Sequence, residues 1–165
     1  PPHTTLGKPS WVVFCEDLYM AVNSLQICQF TTYGILTEPP IPRFVPRFVL
    51  KALTILTPRM AQLLMDWSVL SRLFSAISGI KVGKLAFLKA GERSTKLERW
   101  INLQMSKAAA ADTLPARFTT EGATPVPIER MVRRYYRLRR YSREGAPQRG
   151  DLEKLMDEKL YDGSN

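Results

Sequence analysis

At 165 residues, 45% of them hydrophobic, the chain suits one folded domain with arms and is too apolar for general disorder. Its formal charge of +9 fits an anionic partner, be it nucleic acid, anionic lipid or an acidic protein surface. Two cysteines give no disulfide framework, and a single histidine excludes metal sites that need two or more.

The charge is uneven: residues 1–43 carry −1, 44–111 carry +8, 112–150 carry +5 and 151–165 carry −3. Twelve prolines cut the chain into segments joined by stiff, extended linkers. The chain starts at Pro1. Removal of an organellar targeting peptide accounts for that start, and so does loss of an initiator methionine.

Residues 1–9 read as an extended arm carrying His3. Ser10 is expected to cap a helix from Trp11, with Glu16 and Asp17 near its positive end. From Leu18 to Thr37 twenty residues are uncharged, the length of a membrane span. Asn23, Gln26 and Gln29 dilute that run, so a buried or interfacial helix is expected in preference to a span. Glu38–Pro46 should run extended, and Phe48, Val49, Ala52, Leu53 and Leu56 then form a short amphipathic helix.

The sequence pattern is organised around a helix over Thr57–Phe87, started by Thr57 as cap and Pro58 in the first turn and weakening at Gly79 and Gly83. Met60, Leu63, Trp67, Leu70, Phe74 and Ile77 recur at spacings of three and four, and the remaining faces are hardly more polar. A helix apolar nearly all round needs cover from a core, a membrane or partners. Ser71, Ser75, Gly79 and Gly83 fall at intervals of four, a row that permits close approach of another helix. Lys81, Lys84 and Lys89 follow, as at an exit toward phosphate head groups.

Gly91 is expected to open a second, polar helix. Pro127 starts a third, Ile128–Arg143, with Ile128, Met131, Val132, Tyr135 and Leu138 inward and an end at Gly145 and Pro147. This helix carries seven arginines, Arg130, Arg133, Arg134, Arg137, Arg139, Arg140 and Arg143, against the one acid Glu129. Tyr135, Tyr136 and Tyr141 are interleaved. Such a density of like charge costs a few tenths of a kcal/mol per adjacent pair and marks a surface that faces anions. Asp151 caps a last short helix with an acidic outer side.

The sequence contains no catalytic constellation of the usual side-chain kinds. His3 lies in a terminal arm, and there is no H-E-x-x-H, C-x-x-C or calcium loop. The run Gly79–Leu85 is one residue short of a phosphate loop, and Leu85 stands where a hydroxyl residue would ligate magnesium. Cys15 and Cys28 read as reduced thiols, and no cofactor is indicated.

These features predict an all-α chain of helices joined by proline-rich linkers, non-compact, divided into an apolar docking region (1–111) and a basic helix with an acidic tail (112–165). The function they suggest is a non-catalytic accessory subunit of a mitochondrial inner-membrane complex, a respiratory complex or the ATP synthase. Its partners would be other subunits and anionic lipid. The alternative is an organellar ribosomal protein using the Arg/Tyr helix on rRNA.

Overall fold

In the computed structural model, residues 5–30, 45–56, 66–105, 112–121 and 124–157 are described. They are all-α, as the sequence predicts: α1 (Lys8–Asn23), α2 (Arg47–Leu56), α3 (Ser68–Ser78), α4 (Lys84–Met105), α5 (Ala116–Thr119), α6 (Ile128–Arg139) and α7 (Arg149–Asp157). Among the described residues, β pairing is limited to one isolated bridge between Tyr141 and Pro147. Residues 57–65 lie outside the described set, so the expected Thr57 cap and the docking residues Met60 and Leu63 are not placed. The same holds for His3 and for residues 31–37 of the uncharged run.

Helix α1 is the central element, and α2, α4 and α6 pack around it. Pro9, Ser10, Val13, Phe14, Asp17, Leu18, Ala21 and Val22 are its buried residues, recurring at spacings of three and four. The helix starts earlier than expected. Pro9 fits the first turn, where its missing N–H costs nothing, and Gly7 at φ 78° provides the left-handed entry. Ser10 therefore lies inside the helix, where its hydroxyl donates to the Ile55 carbonyl at 2.7 Å and ties α1 to α2.

One apolar core joins α1, α3 and α4. Phe14, Leu18, Ala21 and Val22 from α1 meet Trp67 and Leu70 at the start of α3 and Phe87 and Leu88 of α4. Phe87 lies 6.2 Å from the Trp67 ring and takes Phe74 edge-on at 5.9 Å. Burying each such side chain contributes about 1.5–3 kcal/mol. The expectation that the rest of the chain is too short to cover the apolar stretch is corrected for Trp67, Leu70 and Phe87, which α1 covers, whereas Leu73 and Ile77 are exposed.

The continuous helix expected up to Phe87 is interrupted. Helix α3 ends at Ser78, Gly79 adopts φ 74°, and α4 begins at Lys84. Gly91 does not open a helix but sits inside α4 against α1. A methyl group there would collide with the Asp17 carbonyl oxygen and stand 3.2 Å from the Ala21 methyl, so the missing side chain sets how closely the two helices approach.

Helix α6 also ends before its expected stop. Arg140 at φ 56° turns the chain, and the Tyr141 N–H donates back to the Tyr136 carbonyl at 2.9 Å, closing the helix in a Schellman arrangement. Helix α7 is fixed to α4 by Lys96, a buried ammonium paired with Asp151 and with Glu92, each at 3.1 Å.

Candidate functional site

The densest polar chemistry among the described residues lies where α1, α4, α6 and the 140–147 turn meet. Helix α6 carries Ile128, Met131, Val132, Tyr135 and Arg139 along one stripe at helical spacing, so its inner face ends in a guanidinium. Arg139 is 1% exposed and pairs with Asp17, itself 2% exposed, on α1. Its second terminal nitrogen donates to Glu16 at 2.7 Å and to the Val13 carbonyl at 3.3 Å. The Tyr135 hydroxyl donates to the same Glu16 oxygen at 2.8 Å.

A second arginine–carboxylate pair lies beside the first. Arg99 of α4 forks onto both oxygens of Asp112 at 2.9 and 2.8 Å, and its Nε donates to the Gly145 carbonyl at 3.0 Å. Tyr136 donates to Asp112 at 2.7 Å. Gly145, at φ 81°, leaves room that any side chain would take from the Tyr136 ring and Arg99. The rings of Tyr135, Tyr136 and Tyr141 lie 6.1–6.3 Å apart and fill the space between the pairs. Arg139 Nε and the Tyr141 hydroxyl are buried without a hydrogen-bond partner among the described residues.

Burial on its own would lower the Arg139 pKa, but Asp17 and then Glu16 outweigh it, and the guanidinium stays charged. Burial, then the charge of Glu16, raises the Tyr135 phenol. Burial pushes Tyr136 up to about 12, helped by its bond to Asp112, and pushes Tyr141 to about 12 as well. All three phenols are protonated at neutral pH, and Tyr135 and Tyr136 act as donors. The cluster therefore orients and holds; these arginines and tyrosines exchange no protons near pH 7. Beside it opens a cavity of about 270 Å³, with Val12, Met131 and Val132 as apolar wall and Glu16, Arg99 and Asp112 as polar edge.

The residues singled out from the sequence separate in space. Of the seven arginines, Arg139 is buried, whereas Arg130, Arg133, Arg134, Arg137, Arg140 and Arg143 are exposed. Tyr135 and Tyr136 face the buried pairs. Of the apolar stripe, Trp67 and Leu70 are buried, Phe74 is half-buried and Ile77 is 81% exposed. Ser71 and Ser75 bond within their own helix, to the carbonyls of Ser68 and Ser71. Among the described residues, nothing lies within 4 Å of a methyl built on Gly79 or Gly83. Sequence reasoning missed Glu16, Asp17, Arg99 and Asp112. One signal was present: Asp17 falls four residues after Val13 on an apolar stripe, where a carboxylate needs an interior cation.

The family described as "Aldehyde ferredoxin oxidoreductase, domains 2 & 3" matches residues 1–156, and the chain belongs to that family. A curated relative, the tungsten-containing aldehyde ferredoxin oxidoreductase of Pyrococcus furiosus, is 25% identical over 169 aligned positions. That alignment covers 98% of this chain and 23% of the relative, so the chain spans about a quarter of the relative's length. No solved structure matches the chain.

Family membership overturns the expectation of a non-catalytic accessory subunit in the mitochondrial inner membrane, and with it the ribosomal alternative and the exclusion of an enzyme. The misreading has a physical origin. Of the apolar stretch read as needing outside cover, Trp67, Leu70 and Phe87 pack against α1, and among the described residues no helix is long and apolar enough to cross a bilayer.

Proposed function

We propose that the polypeptide bearing this chain is an oxidoreductase that acts on an aldehyde and exchanges electrons with a ferredoxin. The family match over residues 1–156 carries this reading, supported by the relative that bears that name. In the oxidative direction an aldehyde and water yield a carboxylic acid, two protons and two electrons, and the electrons leave to the acceptor protein. Chemistry of this type resides in a cofactor, and the surrounding protein binds, orients and excludes water.

Tungsten stands in the relative's name. Among the described residues, no three His, Cys, Asp or Glu side chains come together to hold a metal ion. Cys15 is half-buried within α1, its thiol pushed above its ordinary range by burial and then by Glu16, and a protonated thiol is a poor ligand. Cys28 stands exposed beyond the end of α1. The described residues do not by themselves fit a tungsten site, and no reaction step is assigned to them. Their contribution is a helical frame, with α1 and α6 joined by Arg139 and α4 held by Arg99.

The test is anaerobic purification of the full polypeptide from cells supplied with tungstate. Tungsten should co-elute with the protein, and an aldehyde should drive reduction of a ferredoxin with formation of the matching acid. A folded, homogeneous preparation that holds no metal and shows no aldehyde-dependent reduction refutes the reading.

A further inference from the structure

The outer side of α6 meets the following turn around a cavity of about 600 Å³, lined by Arg133, Arg137 and Arg143 with Tyr136, Tyr141 and Ser142. Arg133 and Arg137 are one helical turn apart and share a face. Arg143 lies beyond the helix and reaches the same cavity because of the turn. Arg140 in the left-handed region reverses the chain, the Ser142 N–H donates to the Ala146 carbonyl at 2.8 Å, and the Tyr141–Pro147 bridge closes the loop. Sequence spacing alone does not give this convergence.

Among the described residues, no carboxylate lines the cavity. The acid nearest in sequence to Arg143, Glu144, is exposed, held below its usual range by the Ser142 hydroxyl, and not part of the lining. Arg133 meets Glu129 at 3.5 Å in an exposed pairing of a kind that contributes little. Tyr136 and Tyr141, 8% and 7% exposed, form a largely desolvated aromatic floor, which strengthens electrostatics above it. Three guanidinium forks around one concavity match the oxygens of a compact tetrahedral oxyanion better than they match a flat surface.

We propose that this cavity binds a phosphate-bearing small molecule, its phosphate groups held by Arg133, Arg137 and Arg143. The proposal stands apart from the redox reading and uses none of the buried pairs.

It is tested by calorimetric titration of the full polypeptide with inorganic pyrophosphate. Saturable binding at one site is expected. Arg137→Gln and Arg143→Gln should each weaken it about tenfold, the scale of one lost charge-assisted contact. Arg130→Gln and Arg134→Gln remove charge from the same helix outside the cavity lining and should change affinity by less than about twofold, as screened surface charges do. All four residues are exposed, so the variants should melt like the parent. Absence of saturable binding overturns the proposal. So do equal losses from all four substitutions, which indicate a diffuse basic face, and tighter binding of an oligoglutamate peptide than of pyrophosphate, which indicates a protein-docking surface.

Discussion

Helix α1 buries two sides of opposite character. Toward α3 and α4 it presents Phe14, Leu18, Ala21 and Val22 to Trp67, Leu70, Phe87 and Leu88. Toward α6 it presents Glu16 and Asp17 to Arg139 and Tyr135. The apolar side is held by area removed from water, a non-directional force that tolerates swaps of similar volume. The polar side is directional. Arg139 reaches Asp17, Glu16 and the Val13 carbonyl together, so α6 can slide along α1 only by breaking all three bonds. A buried ion pair adds little net stability over an apolar replacement, yet loss of one partner is costly. The apolar side thus supplies most of the favourable energy, and the polar side determines where α6 sits.

The sharpest way to break this contrast is Arg139→Met. It leaves the buried Asp17 carboxylate without its guanidinium and should cost about 3–5 kcal/mol in denaturant unfolding. The double variant Arg139→Met with Asp17→Leu replaces the pair by apolar side chains and should recover most of that loss. A neutral single variant would mean that the pair does not hold α6. On the apolar side, Leu70→Ala removes a 1% exposed side chain beside half-buried Phe74. Phe74 can relax into the space, so the cost should be about 2–3 kcal/mol, near the low end for such truncations. No second substitution at a single partner should rescue it, because the lost contacts are shared among several side chains.

The two sides also differed in how readable they were. Periodicity identified Trp67 and Leu70 as buried and gave the all-α class, because apolar burial repeats at three and four residues wherever the partner lies. It missed that α1 is the partner, since periodicity marks a face and not what covers it. The stop at Gly79 is not marked by periodicity, because apolar residues continue on both sides of it. On the polar side, seven arginines read as one basic surface, although Arg139 extends the Tyr135 stripe by four and turns inward. Asp17 stands 122 residues from Arg139 and Asp112 stands 13 from Arg99, and both become partners of arginines only through tertiary packing. The family left no mark among the motifs sought, which were those of nucleophiles, general bases, triads and metal loops.

The smallest effect concerns the phenols that line the polar side. Tyr136 and Tyr141 titrate near 12 in the folded protein against an ordinary 10, and Tyr135 is shifted in the same direction. Between those values the folded state keeps protons that the unfolded chain has released. The stabilisation is therefore complete below pH 10 and declines as pH rises toward about 12. Unfolding midpoints measured across this window should fall, and unfolding there should be accompanied by a rise in phenolate absorbance. Tyr141→Phe removes one titrating group together with a buried hydroxyl that has no partner among the described residues. At neutral pH its effect should be between zero and about 1 kcal/mol in the stabilising direction. In the alkaline window its decline should be shallower than the parent's. Leu70→Ala should instead lower stability by the same amount at every pH, leaving the slope unchanged. If Leu70→Ala alters the alkaline slope as much as Tyr141→Phe does, the two sides of α1 are coupled, and the division between an energetic face and a positioning face fails.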